Sequence, residues 1–482
     1  MGLNDVIPRP ARVRVTGGRL TAPAEPAVTL RGDLGAEEYR LTVEKEGVRI
    51  EAGGDGGVFY ARQTLRRLAE ADGSLRCCEI HDAPRFAYRG FHLDSARHMQ
   101  TVDELKRYID AAALLKLNIF HWHLTDDQGW RFACDAYPRL TEVGSRRKSS
   151  DFGKVHTGEP YGGYYTKDEL RDVAAYCAER NICVVPEFDV PGHSTAAIAA
   201  YPHLSCSGAP VEVETRQGVF PNLLCAGKQT TYDFVFAVLD ELCDVFPGPY
   251  IHIGGDEAPK GAWNRCPDCR KACEALGLTD SEQLQGAFTN RVVAYLREKG
   301  RTAIVWNEAL KSGLLDRGAV VQNWMDRDKL CPAWAHDGGK VIVSEYFHYY
   351  LDYPYAMTPL NKTLTYDPLK GLDARGAQNV LGVEAPLWTE NIDNFAALCA
   401  MGFPRLAAAA ETAWAREPRQ PKDFHGALRS LVPLLRETGV EPAPEKAWNP
   451  SPLVRPGKTL RHFLRTVDRD TVKNFLFHTN EK

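Results

Sequence analysis

The chain has 482 residues and a formal net charge of −4, with 59 Lys and Arg against 63 Asp and Glu. A length beyond one ordinary core predicts two or three domains, or one large barrel with an appendage. The balanced charge gives nucleic acid and anionic membranes no electrostatic footprint, and no apolar stretch approaches the roughly 20 residues of a spanning helix.

The opening MGLNDVIPRPARVRV lacks an apolar signal core, and Val6 breaks the myristoylation pattern, so secretion by the standard route is not expected. Thirteen cysteines, an odd and scattered set, read as reduced thiols and make the cytoplasm the expected compartment. The Asn361-Lys362-Thr363 triplet carries no glycan there. Aromatics make 10% of the chain, and several of the nine Trp sit beside carboxylates, a pairing that suits a sugar-shaped or cationic ligand.

Residues 1–84 alternate short apolar segments (39–43, 48–52) with Gly and Pro and run into a helical stretch, 58–70, which predicts a small α+β domain. The Gly53–Gly57 cluster reads as a turn, because no strand-loop-helix phosphate fingerprint surrounds it. From 85 to 415 eight β-rich runs recur: 90–94, 118–124, 182–188, 250–254, 302–306, 320–324, 340–345 and 380–387. Helical segments at 102–115, 167–180, 232–245 and 281–299 lie between them, so the strands pair in parallel through right-handed crossovers. Eight such units predict a (β/α)8 TIM barrel. Residues 416–482 are expected to form a helical and loop extension that packs on the barrel.

Each run is apolar through its body and ends in polar residues, which a barrel gathers at one rim, where its active site lies. The sharpest ending is Tyr250-Ile251-His252-Ile253-Gly254-Gly255-Asp256-Glu257. Adjacent acids cannot easily flank a sugar ring as the two carboxyls of an ordinary glycosidase do. Glu257 as general acid, with Asp256 orienting a nucleophile internal to the substrate, is the division of labour that adjacency allows. In His121-Trp122-His123-Leu124-Thr125-Asp126-Asp127, His121 and His123 share a strand face, as in an HxH metal site. That leaves a metal-dependent amidohydrolase as an alternative, beside a non-catalytic amino-sugar-binding barrel. Asp189 and His193 in PEFDVPGHS could tune or orient the acids, or form a structural pair. Cys266, Cys269 and Cys273 have ligand-like spacing without a second CxxC, so a structural zinc and unliganded thiols both stay open.

These motifs, RGFHLDSARH, KLNIFHWHLTDDQGWR, VVPEFDVPGHS, YIHIGGDE, VQNW, YLD and LWTE, resemble in order and spacing those of family 20 glycoside hydrolases, the β-N-acetylhexosaminidases. The resemblance implies an exo-acting retaining enzyme for terminal β-linked GlcNAc or GalNAc, a glycan partner, an oxazolinium intermediate and no cofactor or metal. It makes Glu257 the acid and base, with Asp256 orienting the acetamido group. Tyr350, Trp306 and Trp324 would bind that group, and Arg89, Asp352, Trp388 and Glu390 would hold the sugar. Asp126, Asp189 and His193 correspond to the supporting shell. Asn307 departs from the family pattern, which is often acidic there, and its role stays open.

Overall fold

The computed structural model describes residues 5–70 and 72–466; the start of the expected N-terminal domain (1–4) and the end of the expected extension (467–482) lie outside them. The N-terminal unit is a five-stranded sheet built from Arg12–Leu20, Ala27–Leu30, Tyr39–Glu44, Gly47–Ala52 and Leu75–Asp82, with the helix Asp55–Leu68 on one face. In the two central strands alternate side chains are buried (Tyr39, Leu41, Val43; Val48, Ile50, Ala52), the period-2 pattern of a sheet with one covered face. The helix starts three residues before the predicted stretch. Gly57 makes that possible: a Cβ there would lie 2.6 Å from the Glu38 carbonyl oxygen, so only glycine lets the first turn lie against the strand.

Eight parallel strands then close into a barrel, in the order Tyr88–Asp94, Ile119–His123, Cys183–Glu187, Tyr250–His252, Thr302–Trp306, Val320–Asn323, Lys340–Val343 and Val380–Ala385. The first two intervening helices begin with capping boxes, Thr101 with Glu104 and Thr166 with Glu169, which satisfy two free N–H groups at each start. Tyr88, Ile119, Val185, Ile304, Val320 and Ile342 fill the lower interior. One layer up the interior turns polar. Glu384 accepts from Tyr88 Oη at 2.6 Å and Gln322 Nε2 at 2.6 Å, and Glu187 accepts from Trp306 Nε1 at 2.9 Å. Both carboxylates are fully buried, which is tolerable because each is paired with histidine.

A buried cluster joins the two units. Lys116 Nζ, at the end of the first barrel helix, lies 2.7 Å from Asp82 Oδ2, which also accepts from Tyr39 Oη at 2.7 Å, while Trp414 Nε1 donates to Asp82 Oδ1 at 2.9 Å. After the last barrel helix, Arg405–Trp414, the chain adds helices at Pro421–Glu437 and Arg455–Thr466. No helix among the described residues is long and apolar enough to cross a membrane.

Candidate active site

A cavity of about 300 Å³ opens at the C-terminal rim of the barrel. Its acidic wall is made by the turn after the fourth strand. Gly254 and Gly255 adopt φ of 64° and 101°, and a Cβ on Gly254 would fall 1.6 Å from Asp189 Oδ1. Glycine is therefore required here on two counts, conformation and space. The space is taken by the Asp189 carboxylate, whose Oδ1 accepts from Gly255 N at 3.1 Å, while Gln285 Nε2 donates to Gly255 O at 2.7 Å. The turn then delivers Asp256 and Glu257, the latter at φ 43°, a left-handed conformation held by the surrounding structure.

The two acids differ in setting. The Asp256 side chain is 12% exposed and that of Glu257 is 39% exposed, so Asp256 faces the inner pocket and Glu257 its mouth. Asp256 Oδ1 is buried with no hydrogen-bond partner among the described residues. Burial, then the neighbouring Asp189 carboxylate, push Asp256 well above the usual carboxylate range. His193, on the turn after the third strand, lies behind the pair, with Nε2 3.7 Å from Glu257 Oε2 and 4.0 Å from Asp256 Oδ2. Its Nδ1 is 3.1 Å from Asp126 Oδ1. Burial disfavours charge on His193, but Asp126, Asp127 and Glu257 outweigh it, so the ring is held as imidazolium. Burial alone carries most of the rise of Asp189, to about 7.

The opposite wall is aromatic: Trp324, Tyr346, Tyr350, Tyr353 and Trp388. Asn307 has a definite task here. Its Oδ1 accepts from Trp324 N at 3.0 Å and Met325 N at 3.3 Å, and its Nδ2 donates to Met325 O at 3.2 Å, which locks the backbone carrying Trp324. Glu308 accepts from Trp324 Nε1 at 2.8 Å and fixes the ring's tilt. Tyr350 is the tyrosine of its cluster that stacks near Trp324, at 6.0 Å between centroids, whereas Tyr349 turns into the core. Arg405 holds this segment from below by donating to Tyr353 O at 2.7 Å and Thr358 O at 3.0 Å. Asp352 and Glu390 line the floor, and Asp352 Oδ1 is a second buried acceptor without a partner among the described residues.

Two sequence expectations fail in this geometry. Arg89 is not at the pocket. It is the second residue of the first strand, at the opposite end of the barrel, and the strand's period of two points it outward while Tyr88 and Gly90 face in. Its guanidinium forks onto Glu37 at 2.8 and 2.9 Å and donates to Tyr60 Oη at 2.9 Å, so it clamps the N-terminal unit to the barrel. Arg327 lines the pocket, and so does Arg97, on the loop after the first strand. Arg97 lies 2.7 Å from Asp126, 3.2 Å from Asp94 and 3.7 Å from Glu390, with its guanidinium 5.2 Å from the Trp388 ring centre. Trp306 does not wall the cavity either. It is fully buried beneath Trp388, at 6.1 Å between centroids.

His121 and His123 lie below the cavity, fully buried. His121 Nδ1 is 2.8 Å from Glu384 and its Nε2 3.2 Å from Glu187; His123 bonds Glu187 and, at 2.9 Å, Asp126. Burial is outweighed by these carboxylates, which raise His121 to about 9 and His123 well above its ordinary value. Every ring nitrogen of the two histidines thus faces a carboxylate oxygen, an arrangement that favours a structural ion network over an HxH metal centre.

A third wall was not foreseen. His462 and Phe463, on the helix Arg455–Thr466, and Gln217 and Val219, on the loop after the third strand, also line the cavity.

The chain matches known proteins along most of its length. The model described as "Glycosyl hydrolase family 20, catalytic domain" matches residues 86–417, and that of the family's domain 2 matches 19–83. The chain belongs to glycosyl hydrolase family 20. A beta-hexosaminidase of Porphyromonas gingivalis is 38% identical over 420 residues, covering 83% of this chain and 53% of its own; one of Akkermansia muciniphila is 36% identical over 429 residues, covering 85% of each. The chain thus spans about half the length of the first relative and most of the second. Among solved structures, a beta-N-acetylhexosaminidase superposes with a TM-score of 0.86 at 33% identity, covering 93% of this chain and 98% of that one. A Vibrio harveyi family 20 exo beta-N-acetylglucosaminidase, in complex with N-acetylglucosamine, gives 0.84 at 32% identity, covering 92% and 79%.

Proposed function

We propose that this family 20 protein is an exo-acting, retaining β-N-acetylhexosaminidase that releases terminal non-reducing GlcNAc or GalNAc by substrate-assisted catalysis. The observation that carries the reading is the asymmetry of the adjacent acids: one buried carboxylate with an unpartnered oxygen facing the inner pocket, the other at the mouth. In this reaction the acetamido oxygen attacks C1, the glycosidic bond breaks, and Glu257 gives its proton to the departing oxygen. The N–H of the sugar's acetamido group donates to Asp256, which stabilises the positive charge that develops as the oxazolinium ring closes. Water then attacks C1 from the vacated face, Glu257 takes its proton, and the ring reopens with net retention. Trp324, Tyr350 and Trp388 exclude water around the reacting group, where the electrostatic effects are strongest. Arg97, Asp352 and Glu390 supply donors and acceptors for the ring hydroxyls.

Glu257→Gln tests the assignment. Hydrolysis of aryl glycosides with good leaving groups should survive far better than hydrolysis of chitobiose, because only the latter needs full proton donation. Equal losses on both substrates would remove Glu257 from the acid role.

A further inference from the structure

Four cysteines that the reaction does not use converge beside the acidic wall. Cys206 and Cys225 come from the long loop after the third strand, and Cys266 and Cys269 flank the first turn of the helix Pro267–Leu276, in the loop after the fourth. Their sulfurs all lie within 4.8 Å of one another, and three of the four cysteines are buried. The sulfur–sulfur distances are 3.8 Å for Cys206–Cys269, 3.8 Å for Cys225–Cys266 and 3.6 Å for Cys225–Cys269. A tetrahedral zinc with Zn–S of about 2.3 Å requires sulfur–sulfur edges of about 3.8 Å.

We propose that Cys206, Cys225, Cys266 and Cys269 bind a structural zinc ion that staples the loop carrying His193 to the loop carrying Asp256 and Glu257. The surrounding chain is shaped for this. Gly227 passes so close to the helix start that a Cβ would lie 2.2 Å from the Asp268 carbonyl carbon. Trp263 Nε1 donates to Leu224 O at 3.0 Å, and Leu224 N donates to Pro191 O at 3.0 Å, so Leu224, next to Cys225, ties the loop that carries His193 to the short helix Gly261–Arg265 that follows the Asp256–Glu257 turn. The free N–H groups of the helix start favour negative charge on the two cysteines that flank it. Binding exchanges one Zn²⁺ for four thiol protons and needs no oxidant. Cys273, which sequence spacing grouped with the CxxC pair, is outside the set; its sulfur is 4.0 Å from Asp280 O. The two partners of the pair were invisible in the sequence because they lie 41 and 60 residues upstream of Cys266 without a motif.

The test is metal analysis of the full chain, purified under reducing conditions without chelator or metal-affinity resin. One zinc per chain is expected by elemental analysis and by native mass. Ellman's reagent should find four additional thiols once a strong chelator removes that zinc. Cys225→Ala and Cys266→Ala should drop zinc to background, whereas Cys273→Ala keeps it at one per chain. Because the wild-type thiol count needs no variant to fold, failure of either substitution to give soluble protein leaves the proposal testable. Four freely reactive thiols without metal, a denatured mass two hydrogens lighter for each disulfide formed, or stoichiometric iron with its visible thiolate charge-transfer bands would each overturn the zinc assignment. None of these readouts depends on hydrolytic activity.

Discussion

Replacing Arg89 by Met separates the two roles an arginine can have in this fold. The side chain is 1% exposed and makes a bidentate pair with Glu37, with further bonds to Tyr60 Oη and to the carbonyls of Lys116 and Phe86. Removing one partner of a buried pair costs about 3–5 kcal/mol, because the other charge is left without compensation. With an unfolding entropy of about 2.1 cal/mol/K per residue, cooperative unfolding of 482 residues has ΔS of about 1 kcal/mol/K, so Tm should fall by about 3–5 °C. The loss should be pH-dependent. Burial raises Glu37, but Arg89 outweighs it and holds the carboxyl below its ordinary value. A depressed acid stabilises the fold above its unfolded pKa, and that stability is lost as pH falls, so the gap between wild type and Arg89→Met narrows toward pH 4. Scanning calorimetry at several pH values measures this, and steady-state kinetics on a nitrophenyl β-GlcNAc should show unchanged KM for the folded enzyme. Arg97→Ala should instead lower kcat/KM by about 10- to 150-fold, the worth of one charged hydrogen bond to substrate. An Arg89→Met protein with wild-type Tm and a raised KM would refute the placement of the two arginines.

Asp189→Asn keeps the acceptor for Gly255 N but removes a charge that raises Asp256, so Asp256 ionises at lower pH and the acid limb of kcat should move down; a limb that stays or moves up contradicts the coupling. The same substitution should flatten stability between the unfolded Asp pKa and about 7, since a raised acid stabilises the fold only while protonated and loses that contribution as pH rises. Gly254→Ala forces a Cβ onto Asp189 at a positive φ and displaces both acids, so kcat should fall by about 100-fold, measured on soluble protein of checked circular dichroism. Near-wild-type turnover would show that the turn tolerates the shift.

The barrel was legible because its strands are buried on both faces and end in polar residues, and every predicted run overlaps an observed strand to within a few residues. The first N-terminal strand, Arg12–Leu20, escaped for the opposite reason: it is an edge strand, exposed along all but its last residue and rich in Arg, so it carries no buried period. The acids, Trp324, Tyr350, Trp388, Asp352 and Glu390 meet in one cavity, as do Asp126, Asp189 and His193. Arg89 was misplaced because motif order does not say which end of a strand a side chain occupies; counting back from Asp94 at the rim puts Arg89 five residues too low and on the outer face. His462 and Phe463 approach from a helix that begins 70 residues beyond the last strand, and only tertiary packing brings them to the pocket.

Progressive fluorination of the N-acetyl methyl group asks whether the substrate's own acetamido oxygen is the nucleophile. Each fluorine withdraws electrons from that oxygen without changing the leaving group. With that oxygen as nucleophile, kcat/KM should fall steeply and log-linearly from acetyl through monofluoro- and difluoro- to trifluoroacetyl substrates. A flat series, or a covalent sugar trapped on a protein carboxylate, would contradict that role.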